Sequence, residues 1–207
     1  MNAMTRLHLL FLLLVLAIAV PFATADTITL TNNNFGAIGP IGTVNVVTSD
    51  SGVEVTLTAN SGFAFVTTGG ADILFNTSAI LTSANISNIM INGAPYTGTF
   101  SLLSSQTRAG SLFSYDLTKL QAQNGVNAAT SIQFFISGVT LDQFESSPGV
   151  LSAWGVHACF DTGGNKCTGN TGFTFSVGTP VPEPGTLSLL GTGLVGLAGF
   201  FRRRLLS

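Results

Sequence analysis

Side chains able to do chemistry are few in this sequence, and they lie far apart. Beyond residue 25 there is a single histidine, His157, so neither an HExxH zinc site nor a three-histidine site can be assembled. No GxSxG elbow and no SxxK pair is present. A Ser-His-Asp triad is assembled in space, so one around His157 stays open, although no second residue points to it. Asp142 and Glu145 are close in sequence, yet a spacing of three on a surface turn reads as solvated charge, not as the facing acids of a glycoside hydrolase. Asp50 and Glu54, flanking a hairpin, read the same way. Asp161 and Asn165 with nearby carbonyls are a candidate calcium loop, opposed by the low count of acids. Cys159 and Cys167 are the only cysteines, and in an oxidising compartment they read as a hairpin-closing disulfide. A metal site is the alternative, with an incomplete ligand set, and a free redox pair is another. The expectation is a chain with no catalytic residue, no metal site and no cofactor.

The elements that would position these groups are strands. Only 8% of the 207 residues are charged, against roughly 25% in ordinary soluble domains, and Ser, Thr, Asn and Gly take their place. Between Asp26 and Gly178 the apolar pattern has mainly period two, strictest at Val53-Glu54-Val55-Thr56-Leu57-Thr58 and at Phe173-Thr174-Phe175-Ser176-Val177. Further strands are expected at 27–31, 43–48, 63–67, 72–76, 86–91, 98–103, 111–117, 131–136 and 151–160, with short helical turns near 117–124 and 140–145. Asp50-Ser51-Gly52, Asn60-Ser61-Gly62, Gly69-Gly70 and Asn92-Gly93 supply turn chemistry between them. The expected fold is all-β, an antiparallel β-sandwich of jelly-roll-like topology over residues 26–180. Its aromatic residues are mostly Phe and read as core; Trp154 reads as core filler or as a platform for stacking a glycan.

The two ends differ from this middle. Arg6 and His8 precede the twelve apolar residues Leu9 to Val20, and Ala23-Thr24-Ala25 places small residues where a signal peptidase needs them. Residues 1–25 are therefore expected to be a signal helix removed before Asp26. Residues 181–207 open on Pro182-Glu183-Pro184, which can form neither a helix nor a central strand. The fifteen uncharged residues from Leu187 to Phe201 follow, and then Arg202, Arg203 and Arg204. As a helix the run is about 22 Å long, short for a bilayer core of about 30 Å, a deficit that snorkelling arginines and local thinning cover. A single transmembrane helix with its arginines on the cytoplasmic side is expected. Gly191-Thr192-Gly193-Leu194-Val195-Gly196 matches GxGxxG, but the chain ends eleven residues later, so small residues packing a membrane helix are the better reading. The middle holds three basic against eight acidic residues, a formal −5, which repels phosphate backbones and excludes nucleic acid as a partner.

Pro182-Glu183-Pro184, the short hydrophobic helix and the basic terminus together resemble the PEP-CTERM sorting signal of Gram-negative bacteria. That signal is handled by exosortase, a protease-transpeptidase of the inner membrane. The resemblance implies processing near Pro182 to Pro184 after insertion in that membrane, and passage to the envelope surface or an extracellular polysaccharide matrix. A likeness to the β-rich bodies of the same family covers 43–75 and 154–160, and it brings no catalytic residue. Two functions fit best: a non-catalytic structural or adhesive component, or a module that binds an exopolysaccharide. A secreted hydrolase is the third.

Overall fold

The computed structural model describes residues 25–67, 73–108, 111–120, 128–144, 153–161 and 166–176. Thirteen strands lie within them: β1 Ala25–Asn33, β2 Gly42–Ser49, β3 Gly52–Ala59, β4 Phe63–Val66, β5 Ile73–Phe75, β6 Ile86–Ile91 and β7 Ala94–Pro95 come first. They are followed by β8 Ser101–Arg108, β9 Ser111–Thr118, β10 Ala128–Ala129, β11 Ser131–Ser137, β12 Trp154–Asp161 and β13 Cys167–Ser176. Two 3-10 turns, Ser83–Asn85 and Leu141–Gln143, are the helical elements among the described residues.

Local chemistry accounts for the hairpins. Asn92 and Gly93 both have positive φ, 51° and 75°, and they join Ile91 to its partner Ala94 as a two-residue turn whose twist matches that of the strands. Asp50 and Ser51 close the β2–β3 hairpin, where Gly52 follows because a Cβ there would run into the Ile136 carbonyl of the neighbouring strand. Asn60 accepts the Phe63 N–H at 3.0 Å across the next turn, with Gly62 at φ 87°. The Asn92 side-chain oxygen also accepts the Thr130 and Ser131 N–H groups at 2.8 and 3.2 Å, which ties the β6–β7 turn to the start of β11.

All pairings are antiparallel, and the expected all-β architecture is present. The strands form one hydrogen-bonded sheet in the order β7-β6-β11-β3-β2-β1-β13-β12-β5-β9-β8, with β4 alongside β12 and β10 on β4. Two separate sheets would be the mark of a sandwich; here the pairing of β1 with β13 joins the two arms, Leu30 opposite Ser176 and Asn33 opposite Thr174. The sheet curls into a half-barrel. Segments beside its two edges meet where the Leu102 N–H donates to Ser83 Oγ at 3.2 Å and the Tyr96 hydroxyl donates to the Lys119 carbonyl at 3.2 Å.

The curl encloses one main core. Alternate residues of each strand turn inward: Ile28 and Leu30 from β1, Val44 and Val46 from β2, Val55 and Leu57 from β3, Ile132, Phe134 and Ile136 from β11. They belong to the same cluster as Phe75, Leu117 and Trp154 from the other arm. Burying a side chain of this size stabilises the fold by roughly 1.5–3 kcal/mol, which makes the inward set, not the polar outer set, decide the register. A smaller cluster of Leu74, Phe113 and Phe175 sits apart from this core, closed over Gly155, where a Cβ would come within 2.8 Å of the Phe175 ring. The signal helix expected before residue 25 and the membrane helix expected at 187–201 lie outside the described residues. Among the described residues no helix is long and apolar enough to cross a membrane.

Candidate functional site

The residues singled out for chemistry are dispersed by the fold. His157 is half-buried on β12 and stacks on Phe173, with ring centroids 5.1 Å apart. Asp142 is exposed on the second 3-10 turn, while Glu145 and Asn165 lie outside the described residues. Asp161 Oδ1 accepts the Lys166 N–H at 3.3 Å, so this carboxylate is engaged within its own hairpin. No group of three or more His, Cys, Asp or Glu able to hold a metal occurs among the described residues.

Cys159 and Cys167 are joined in a disulfide with Cα atoms 5.5 Å apart, across the β12–β13 hairpin. The metal and free-thiol alternatives fall with it. Trp154 is fully buried, stacked between Phe75 at 5.3 Å and Phe144 at 5.4 Å. That position withdraws it as a glycan platform and makes it core.

Asp26 stands where the mature chain is expected to begin. It follows Ala25 at the start of β1, opposite Val46, and its inward pattern with Ile28 and Leu30 leaves it only 3% exposed. Its Oδ2 has no hydrogen-bond partner. Burial pushes the carboxyl above its ordinary 3.8, and a backbone hydrogen bond at Thr27 opposes that shift more weakly. Ala25 already pairs with Val47, so the bond after it belongs to a ladder once β1 has paired with β2. A peptidase that binds extended chain must reach it before that pairing. Ala23 lies outside the described residues.

β1 and β13 are antiparallel neighbours with Ser176 opposite Leu30, so β13 ends five residues, about 17 Å along the strand, short of Ala25. Four residue steps separate Ser176 from Pro180, at most about 14 Å of extended chain. Whatever binds the start of the sorting motif therefore works close to the end of β13. Pro182, Glu183, Pro184, Leu187, Phe201, Arg202, Arg203 and Arg204 all lie outside the described residues.

Composition indicated Ser-, Thr- and Asn-rich faces, but not which strands build one; the outward face of β1, β2, β3 and β11 is such a face. Its side chains stand in cross-strand rows: Thr29, Thr43, Thr58 and Ser131 form one, and Thr27, Asn45, Thr56 and Gln133 the next. The third row, toward the Asp50-Ser51 turn, is Val47, Glu54, Phe135 and Ser87. Glu54 is the one charge in these three rows, and it accepts a 2.7 Å hydrogen bond from the Gln133 amide. Beside them lies a cleft of about 320 Å³ lined by Ser49, Ser51, Glu54, Asn88, Gln133 and Phe135. The period-two pattern already placed Thr56, Thr58 and Glu54 on one face; what it lacked was the strand order that sets them beside Asn45 and Gln133.

A family model for the PEP-CTERM protein-sorting motif matches residues 180–204, which takes in the Pro-Glu-Pro segment, the apolar run and all three arginines. No curated protein and no solved structure matches the chain. The motif implies export, sorting to the cell envelope or surface, and processing by exosortase. The chain thus carries a PEP-CTERM protein-sorting motif in its tail, which supports its being an exosortase substrate.

Proposed function

We propose that the exported β-domain is a non-catalytic structural or adhesive component of the cell surface or extracellular matrix, held at the inner membrane by its tail only until exosortase processes it. The observation that carries this reading is the outward face of β1, β2, β3 and β11. Its rows of hydroxyl and amide groups carry a single charge, already hydrogen-bonded to Gln133. Such a face offers many weak neutral hydrogen bonds and no acid-base pair, which suits contact with neighbouring molecules more than turnover. A second reading, binding of an exopolysaccharide, is supported by the cleft beside Phe135 on that same face. Signal peptidase is the expected partner at Ala25 and Asp26, and the inner membrane the transient one at Leu187 to Phe201.

The test is fractionation of the native host with and without its exosortase. With the enzyme, the protein is expected at the surface or in the matrix, lacking its C-terminal arginines by mass spectrometry. Without it, the full tail should stay in the inner-membrane fraction. The same distribution in both hosts would overturn the proposal.

A further inference from the structure

The cleft on the outward face has the makings of a ligand site that its neighbouring rows extend. Gln133 and Phe135 are half-buried, while Glu54 and Asn88 are exposed. The ladder between β11 and β6 slips between Gln133 and Phe135, and Asn88, facing that slip on β6, takes the left-handed φ of 52°. Irregularities of this kind re-aim side chains and open a sheet locally, and here one coincides with the cleft. The Gln133 amide nitrogen donates to Glu54 Oε1 at 2.7 Å, which fixes both groups and leaves the second carboxylate oxygen and the Gln133 carbonyl oxygen as oriented acceptors. Asn88 adds a donor and an acceptor, Ser49 and Ser51 add hydroxyls, and Phe135 adds an apolar ring.

The chemistry of this set selects a class of ligand. A half-buried phenylalanine beside planar amides and one carboxylate fits a molecule with apolar C–H faces and a rim of hydroxyls, which is the surface of a sugar ring. No cation stands in the three rows, and the middle of the chain is formally −5, so a carboxylated or sulfated polymer would meet Glu54 without a countercharge. Anionic ligands are therefore disfavoured, and the hydroxyl and amide rows match a neutral one. Beyond the cleft the Thr27 and Thr29 rows run over four strands, about 14 Å at a strand spacing of about 4.8 Å. That is room for several sugar units.

We propose that the cleft formed by Glu54, Asn88, Gln133 and Phe135 binds one unit of a neutral polysaccharide, with the rest of the chain lying along the adjoining rows of threonine, asparagine and serine side chains. This rests on the reading of the domain as a surface contact module. It assigns that module a ligand class and a seat.

The test is calorimetric titration of the processed protein, recovered from the surface of its host, with neutral hexasaccharides of β-1,4-glucose, α-1,4-glucose and β-1,4-mannose. Polygalacturonate serves as the anionic comparison. At least one neutral hexasaccharide should bind, and polygalacturonate should bind more weakly. Phe135→Ala should weaken the neutral ligand roughly tenfold or more, and Gln133→Ala by a few-fold, whereas Phe135→Tyr, which keeps the ring, should stay within about twofold. Circular dichroism checks that each variant is folded. Binding of none of the neutral hexasaccharides, stronger binding of polygalacturonate, or full binding by folded Phe135→Ala would overturn the site. If glycan binding is absent and the protein still reaches the surface, the site alone falls; retention of the protein in the inner membrane would instead sink the surface-component reading.

Discussion

Asp26 shows what one residue at a processing junction does to stability. Its carboxyl is turned toward the core, nearly free of solvent, with Oδ2 unpartnered, so the folded chain holds a proton there more tightly than the unfolded chain does. Stability from this group is present at low pH and falls as pH rises from 3.8 through the raised folded value. In a chain where residue 26 is still joined to Ala25, Asp26→Asn should raise the melting temperature at pH 7 and bring no gain at a pH below 3.8. Cleavage after Ala25 puts an α-ammonium on this same residue, and the gain should shrink in the mature protein. An equal gain at both pH values would contradict the burial argument. The sequence marked this junction through Ala23 and Ala25, but the inward turn of Asp26 depends on strand neighbours that no local pattern reveals. His157 is the other residue of interest, and its stacking on Phe173 gives it a packing role. The exported protein should hydrolyse no common glycan, ester or peptide substrate. An activity lost in folded His157→Ala would show that a triad had been missed.

At the level of elements, period and turn chemistry carried most of the reading. Val53 to Thr58 alternates strictly and forms β3, and the Asn92-Gly93 turn joins β6 to β7 as its residue types demand. The strand β10, two alanines long, has no period to detect, and β8 runs on to Arg108 because β9 pairs with it along its length. Trp154 was ambiguous for a related reason. Most of β12 is buried, between β13 on one side and β4 and β5 on the other, so its apolar run shows no alternation that would say which way the indole points. The disulfide was legible from spacing and compartment together. With a separation of eight residues, the chain-entropy relation gives about 2.5 kcal/mol for the bridge. The double variant Cys159→Ser, Cys167→Ser should lose roughly that much in urea unfolding, and no loss at all would mean the hairpin is held by its ladder alone. Gly52→Ala should cost more than Gly36→Ala: at Gly52 the Cβ meets backbone that cannot yield, whereas at Gly36 there is free space and the cost is that of a side chain at the left-handed φ of 82°, about 1–2 kcal/mol.

The described domain is joined where its first and last strands pair. Leu30 and Ser176 face each other across β1 and β13, and among the described strands this is the ladder that joins the arm ending in β7 to the arm ending in β8, beside the shared core and the two hydrogen bonds at the edges. Pairing over that separation leaves no trace in a local pattern, which is why the sequence conveyed strands and turns but not one continuous curled sheet. It also means that the sheet closes only after the last strand has been exported, just ahead of the sorting motif that begins four residues on. The tail was legible because its chemistry is local: prolines that refuse a helix, an uncharged run and a terminal arginine cluster need no partner strand to be recognised. Whether these parts act together as a sorting signal is decided by replacing Pro182, Glu183 and Pro184 with alanine in a host that has exosortase, and reading the C-terminus of the protein by mass spectrometry. The triple variant should remain an inserted precursor that keeps Arg202, Arg203 and Arg204 and stays in the inner membrane. Normal loss of the tail and normal arrival at the surface would contradict that sorting role, leaving only an ordinary membrane anchor.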